Sequence, residues 1–556
     1  MQLDRIEDRS QSPFIAAYQS GSQAVSHLYD WSNADTEKYR RRLQNIKSAE
    51  NSGQVADRQS IAELLVTYHQ RLSTLHGQAT VVTAVDDNIA RYALGAVTIV
   101  TGQQAGIGTG PLYTINKIIS LLKSAVDLQE QLQEPVVPVF WVAGEDHDID
   151  EIDHLHINTR ERLQRVAVDW SGHKPRNSVS SVFLNREQVG HLIGEMQEVL
   201  RDSQYKESIL NALADAYKEC SLSTAFAVLL YKMFAPFGLL LFDAHDAMVR
   251  EQERPMFAHM VELVEDAQRA YQLGFQAFTA TRYTPLIAID GKKTGLYIDL
   301  YEKRQPILYD DGEFYIEGLT KRFSKEQLLT EIADRPQQFS TNVLLRTIMQ
   351  EYLFQPLMYI GGAAEVQYWG QMKPLFHLFG YRMPIVALRN SYTYVASALQ
   401  AKLAKYDIDA LDVLARKNYD YEQIVSRFID QQYDLSSLFD SLRQDWQAVY
   451  QERVQTIPDT YVNPKAIEQN SEHTWGNIVF QLSKMQQSLE KTHNERHKEL
   501  KADIRWIGNE LLPNGTLQER VLNVYQFTNL VGTDFLAQII YNGENWMDGG
   551  HYLVRI

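Results

Sequence analysis

The chain has 556 residues, is 44% hydrophobic, and sets 54 Lys and Arg against 70 Asp and Glu for a formal charge of −16. That balance excludes a general binder of nucleic acid or of anionic membrane surfaces, since both are polyanions, and favours small-molecule partners. No apolar run approaches the roughly 20 residues that span a bilayer, the start MQLDRIEDRS lacks a signal-peptide shape, and the single cysteine, Cys220, excludes an internal disulfide or a cysteine-cluster zinc site, so a cytoplasmic protein is expected.

The first ninety residues carry helical patterns, clearest in SIAELLVTYHQRLSTLHGQ. A sheet begins near residue 96. Ala96–Val100 reads as a buried strand, and Leu112, Ile115, Ile119, Leu122 and Val126 recur at helical steps. Between them lies GQQAGIGTG, whose glycines let the backbone approach a ligand, ahead of a helix start with free N–H groups. A phosphate or carboxylate is the natural guest, although neither GxGxxG nor GxxxxGK[ST] fits. Gly106, Gly108 and Thr109 are the candidate anion cradle, with Lys117 on the helix as a further candidate that its position could turn away.

Further strand-like runs are PVVPVFWVAG (135–144), GLLLFDA (238–244), LMYIGG (357–362) and MPIVALR (383–389). Apolar strands alternating with helices predict a parallel α/β sheet covered on both faces. Two insertions interrupt it, at about 157–232 and 270–338; the second carries DGKKTG and DDG, which read as hairpin turns of a small antiparallel module. After Arg389 the composition turns helical. Ile478, Leu489, Leu500 and Leu511 recur every 11 residues, the period of a long straight helix, and LSSLFDSLRQDWQAVYQERV, with Leu438, Leu442, Trp446 and Val449, is its expected antiparallel partner. The expected division is a core over 1–390, a helical coiled-coil domain over 391–512 and a returning segment over 513–556.

The stretch WVAGEDHDIDEIDHLHI follows a strand and brings Glu145, Asp146, His147 and Asp148 to the sheet edge where ligands gather. Its uses are to hold a divalent metal, to grasp an ammonium, or to place His147 as a general base. His154 and His156 resemble half a zinc site, but the same spacing is ordinary strand alternation, and zinc is not expected. NVLLR offers Arg346; YIGGAAEVQYWGQ puts Glu365 and Tyr368 on a helix after a strand; VALRNSYTY ends another strand with Arg389, Asn390 and Ser391. Arginine grips phosphate or carboxylate bidentately, and Asn and Ser add directed hydrogen bonds.

Taken together, TGQQAGIGTGPLYTINK, PVVPVFWVAGEDHDIDEI, NVLLR, YIGGAAEVQYWGQMKPLF and LPNGTLQERVLN resemble the BshC family of cysteine ligases of bacillithiol biosynthesis. The resemblance implies a Rossmann-like core with two connecting-peptide insertions, a helical coiled-coil domain and a homodimer. It also implies the last step of that synthesis, in which the carboxyl of cysteine joins the amine of glucosaminyl-malate. A carboxylate needs activation for this, ordinarily by ATP through an acyl-adenylate or acyl-phosphate, so an ATP/ADP-type nucleotide is expected, with magnesium as its companion. On this reading His147 is base toward the amine, Asp146 or Asp148 orients it or binds metal, and the glycine loop cradles an anion. The resemblance further implies a nucleotide near Arg389, Asn390, Ser391 and the segment carrying Asn514 and Arg520. The HxGH and KMSKS motifs of class I aminoacyl-tRNA synthetases are absent. The competing readings are a nucleotidyl or acyl transferase using another amine, and a non-catalytic dimeric scaffold.

Overall fold

Runs of β-branched residues build the centre of the protein, in a computed structural model that describes residues 2–7, 12–48, 53–172, 174–288, 290–428, 435–458, 460, 462–542 and 548–556. Five strands, β1 (Val97–Gln104), β2 (Val136–Ala143), β3 (Leu240–Asp243), β4 (Met358–Gly361) and β5 (Ile385–Leu388), form one sheet in the order β5-β4-β1-β2-β3. Every pairing is parallel. All of β2 and the first five residues of β1 are buried, which is why they read as unbroken apolar runs. The threonines within β1 are satisfied by the strand's own surroundings: Thr98 donates to the Phe354 carbonyl at 3.0 Å and Thr101 to that of Ile360 at 2.7 Å. From β1 the chain passes through helix Leu112–Leu132 to β2 on one side, whereas β4 arrives on the other from far along the sequence. The order therefore switches between β1 and β4, and a crevice opens beyond their carboxyl ends.

Two compact units divide the chain: residues 1–159, 163–417 and 511–556 form the first, and 160–162 with 418–510 form the second. The sheet lies in the first unit, as do strand Ser391–Val395 and helices Ser397–Lys405 and Ala410–Arg416. An antiparallel module of five strands spans 293–341. Its DDG turn is a hairpin turn, with Asp311 and Gly312 at φ of 49° and 83°. DGKKTG instead leads into the first strand, and the other hairpin turns on Tyr301 and Glu302, at φ of 53° and 56°. Neither is a residue type that advertises a left-handed turn, so the sequence pattern could not show it. A third sheet brings the chain ends together: Gln2–Ile6 pairs antiparallel with His551–Arg555, which lies parallel to Ser391–Val395. A fully buried ion pair ties the N-terminal helices to the core: Arg42 grips both carboxylate oxygens of Glu351 at 2.6 and 2.8 Å and also donates to the Pro356 and Arg382 carbonyls.

In the second unit, helices Leu435–Gln455 and Pro464–Arg496 pack on each other, and Lys498–Leu511 follows after a break at His497. Their seam runs through Phe439, Arg443 and Tyr450: Arg443 donates to the Gln486 side chain at 2.5 Å, and Tyr450 stacks on Trp475 at 5.6 Å. Of the stripe expected to make this contact, Leu442 is half-buried and the rest is turned aside. Leu438, Trp446 and Val449 are exposed, because a one-residue slip rotates a helical stripe by about 100°.

Candidate active site

The crevice at the switch point is a cavity of about 480 Å³. Strand ends supply its floor: Gly102, Gln103 and Gln104 leave β1, Trp141 comes from β2, and Tyr359 and Gly362 come from β4 and the turn beyond. Five cationic side chains, Lys117, Arg304, Arg346, Arg389 and Arg520, line it against two carboxylates, Asp146 and Glu365. Glu145 and Glu519 stand behind the lining as counter-ions of Arg346 and Arg389, so a smaller positive excess faces the recess, and it favours an anionic guest.

Lys117 faces the cavity. It reaches back from its helix to the Gly102 carbonyl and the Gln103 side chain, both at 2.9 Å, and pairs with Glu365 at 2.6 Å. Burial opposes ionisation of Glu365, but Lys117, the Tyr359 hydroxyl at 2.6 Å and the Gly362 N–H at 2.8 Å outweigh it and hold its carboxyl below the ordinary range. Tyr368 completes this wall, and burial raises its phenol. Opposite, Arg346 donates to the buried Glu145 at 2.8 Å.

The acidic turn after β2 splits between two cavities. Asp146 lines the cationic one; its Oδ1 accepts the N–H groups of His147 and Asp148 at 2.7 and 3.2 Å, and its Oδ2 accepts from Gln104 at 2.9 Å. Burial works against its charge, but Arg346, Gln104 and the Asp148 N–H keep its carboxyl below the ordinary value. His147 and Asp148 line a wider neighbouring cleft of about 1120 Å³ with Trp170, Lys174, Phe183 and Tyr301. Arg304 stands at the partition, lining the cationic cavity and donating to His147 Nδ1 at 3.3 Å. Burial and then Arg304 push the imidazole below its ordinary pKa.

The glycine loop is used differently from the expectation. Gly106, Gly108 and Thr109 are buried and line neither cavity. The Gly108 N–H donates to the Tyr217 hydroxyl at 2.8 Å, while the carbonyls of Gly108 and Gly110 accept from the Asn523 amide at 2.6 and 2.7 Å. Gly108 has φ of +58°, and a Cβ there would meet Leu155 at 2.6 Å. An anion at this N–H would have to displace Tyr217. The loop is a seat for the C-terminal segment.

Arg389 holds Glu519 bidentately at 2.7 and 2.8 Å; Ser391 and Asn116 add hydrogen bonds to the same carboxylate at 2.9 and 2.7 Å. Asn390 accepts the Gly550 N–H at 3.1 Å. Glu519 is thus a buried counter-ion; the short helix Gln518–Val521 has Leu517 at its N-cap, and Thr516 donates to the Pro513 carbonyl. Arg520 lines the cationic cavity and also a second one of about 560 Å³, and Gly362, Ala363 and Arg389 are shared in the same way, so the two cavities adjoin. Asn514 is exposed at a left-handed turn and lines neither, although Gly515 and Thr516 line the second. His154 pairs with Asp153 at 3.0 Å and alternates with His156 along strand His154–Asn158. Among the described residues no three His, Cys, Asp or Glu side chains converge to hold a metal.

This geometry meets two family models end to end. The N-terminal Rossmann-like domain of bacillithiol biosynthesis BshC matches residues 1–390, and the C-terminal coiled-coil domain of BshC matches 392–556. The chain belongs to the BshC family. Proteins named "Putative cysteine ligase BshC" from Bacillus cereus (strain ATCC 10987 / NRS 248) and Bacillus thuringiensis subsp. konkukian (strain 97-27) are each 27% identical over 559 residues, 98% of this chain and 98% of theirs. A solved structure titled "Crystal structure of putative arginyl t-RNA synthetase from Campylobacter jejuni" aligns over 79% of this chain and 99% of its own at 10% identity, with a TM-score of 0.20 too low to carry an argument.

Within this BshC fold, sequence reasoning missed Arg304 and Tyr297. Both come from the antiparallel module, from strands that carry no motif. The only signal was an arginine in strand Lys303–Asp310, and its burial is a tertiary fact.

Proposed function

We propose that the chain is an amide-forming ligase that joins the carboxyl of cysteine to the amine of glucosaminyl-malate, giving bacillithiol, with a nucleotide activating the carboxyl. The observation that carries this reading is the cavity at the switch point, where five cations face two carboxylates. Malate brings two carboxylates and cysteine a third, and activation adds phosphate, so every partner of the reaction presents negative charge to such a wall. Fixed cations aimed at charge that develops on a carboxyl lower the barrier without reorganising. Arg346 and Lys117 take that part here; Asp146, on the same wall, meets an ammonium.

The nucleotide's donor set is at the junction of the two cavities. Arg389 and Arg520 reach both, and Arg389 Nε is buried without a hydrogen-bond partner among the described residues, a donor left over for a phosphate oxygen. A bound nucleotide supplies the phosphoryl or adenylyl group that turns the carboxylate into an acyl donor toward the amine. The protein's own part is to neutralise, orient and exclude water. The test compares acceptors: with cysteine, ATP and magnesium present, glucosaminyl-malate is expected to be converted and glucosamine, which lacks the dicarboxylate, is not. Equal turnover of both would overturn the assignment of the cationic cavity to malate.

A further inference from the structure

Arg304 is held on three sides. Its Nε donates to Ser340 Oγ at 3.0 Å, its Nη2 to the Thr341 carbonyl at 2.6 Å, and its guanidinium lies 4.1 Å from the centre of the Tyr297 ring. The remaining nitrogen, Nη1, points to His147 Nδ1 at 3.3 Å. We propose that Arg304 is a positioning residue that fixes His147 as the tautomer with its proton on Nε2, so that the imidazole presents an N–H donor to the wide cleft.

Guanidinium has five donors, no acceptor, and keeps its proton under any working condition. The contact therefore forms only if His147 Nδ1 accepts. A neutral imidazole that accepts on Nδ1 carries its hydrogen on Nε2. Among the described residues nothing competes for Nδ1: Asp146 Oδ1 lies 4.0 Å away, beyond hydrogen-bond range, and is engaged by two backbone N–H groups. The other charged groups facing the ring, Asp148 and Asp299, favour a charged imidazole, but burial and Arg304 outweigh them; the Tyr297 ring lies 6.4 Å away. His147 Nε2 has no hydrogen-bond partner among the described residues, and the residue lines the wide cleft.

On the ligase reading above, this deepens the role of the acidic turn. A His147 so held donates to a ligand oxygen in the cleft and is not the base that takes the proton of the attacking amine.

The test needs no substrate, so its failure is separable from failure of the ligase reading. The full chain is labelled with ¹⁵N in its histidine rings and otherwise deuterated, and the His147 signals are assigned by their loss in His147→Gln. A pyridine-type Nδ1 with a pyrrole-type Nε2 is expected. A pyrrole-type Nδ1 overturns the proposal outright, without recourse to any variant at Arg304. In Arg304→Met, shown folded by circular dichroism, the ring is expected to become a mixture of tautomers. An unchanged single tautomer there also overturns it.

Discussion

Arg389 and Glu519 are the clearest case of a single contact that a sequence can suggest and only a structure can interpret. The arginine ends a strand at the expected edge, yet its Nη1 and Nη2 are engaged by a carboxylate 130 residues away. Burial opposes the charge of Glu519, and Arg389 with Asn116 overcomes it, drawing its pKa from the ordinary 4.5 to about 2. A depressed carboxyl pKa contributes stability that is fully present above 4.5 and is lost as pH falls toward 2. Glu519→Gln should therefore cost about 3–5 kcal/mol near neutral pH, because a buried charge loses its partner. Urea unfolding at stepped pH should show the gap to the natural chain closing across that acid window; a gap that is constant with pH would contradict the pairing. Lys117→Met is the matching prediction for activity. It removes a cation from the cavity floor and leaves Glu365 held by Tyr359 and Gly362, so turnover should fall by about 10²–10³-fold while the fold persists.

At the scale of elements, the strands were legible and the loops only half so. An unbroken apolar run has one physical explanation, burial on both faces, and β2 is buried at every position. A glycine loop has two, since the freedom that lets backbone approach a phosphate equally lets it approach another segment of the chain. Here the second holds: Asn523 sits on the Gly108 and Gly110 carbonyls, and Tyr217 takes the Gly108 N–H. Asn523→Leu should leave two buried carbonyls unpaired, at about 1–3 kcal/mol each. Faster amide exchange confined to the C-terminal segment and the loop would register it, and unchanged exchange would refute the docking role. Arg304 was out of reach for a different reason. It comes from a strand whose alternation says which residues share a face, not which distant histidine that face meets.

The whole molecule joins a charged, recessed site in one unit to an arm of different character in the other. Besides its seam, the arm exposes Leu438 (54%), Trp446 (50%), Phe480 (56%) and Met485 (56%), more large apolar surface than a solvated helix pair needs. The homodimer implied by resemblance is a proposal that this surface supports. Trp446→Glu combined with Phe480→Glu should shift the chain toward monomer in sedimentation velocity, with the helical signal retained; an unaltered oligomeric state would remove the arm from consideration. The domain order was legible because composition changes along the chain, whereas the orientation of the arm's stripe was not, because a one-residue slip leaves the composition unchanged.

On the proposed function, amide formation takes place in the cationic cavity beyond β1 and β4. The most direct measurement is mass spectrometry of glucosaminyl-malate, cysteine, ATP and magnesium incubated with the natural chain and, side by side, with Lys117→Met. ATP-dependent bacillithiol is expected from the first and a yield lower by two orders of magnitude or more from the second, roughly the loss of one fixed charge donor. Product that forms equally well from both would contradict it.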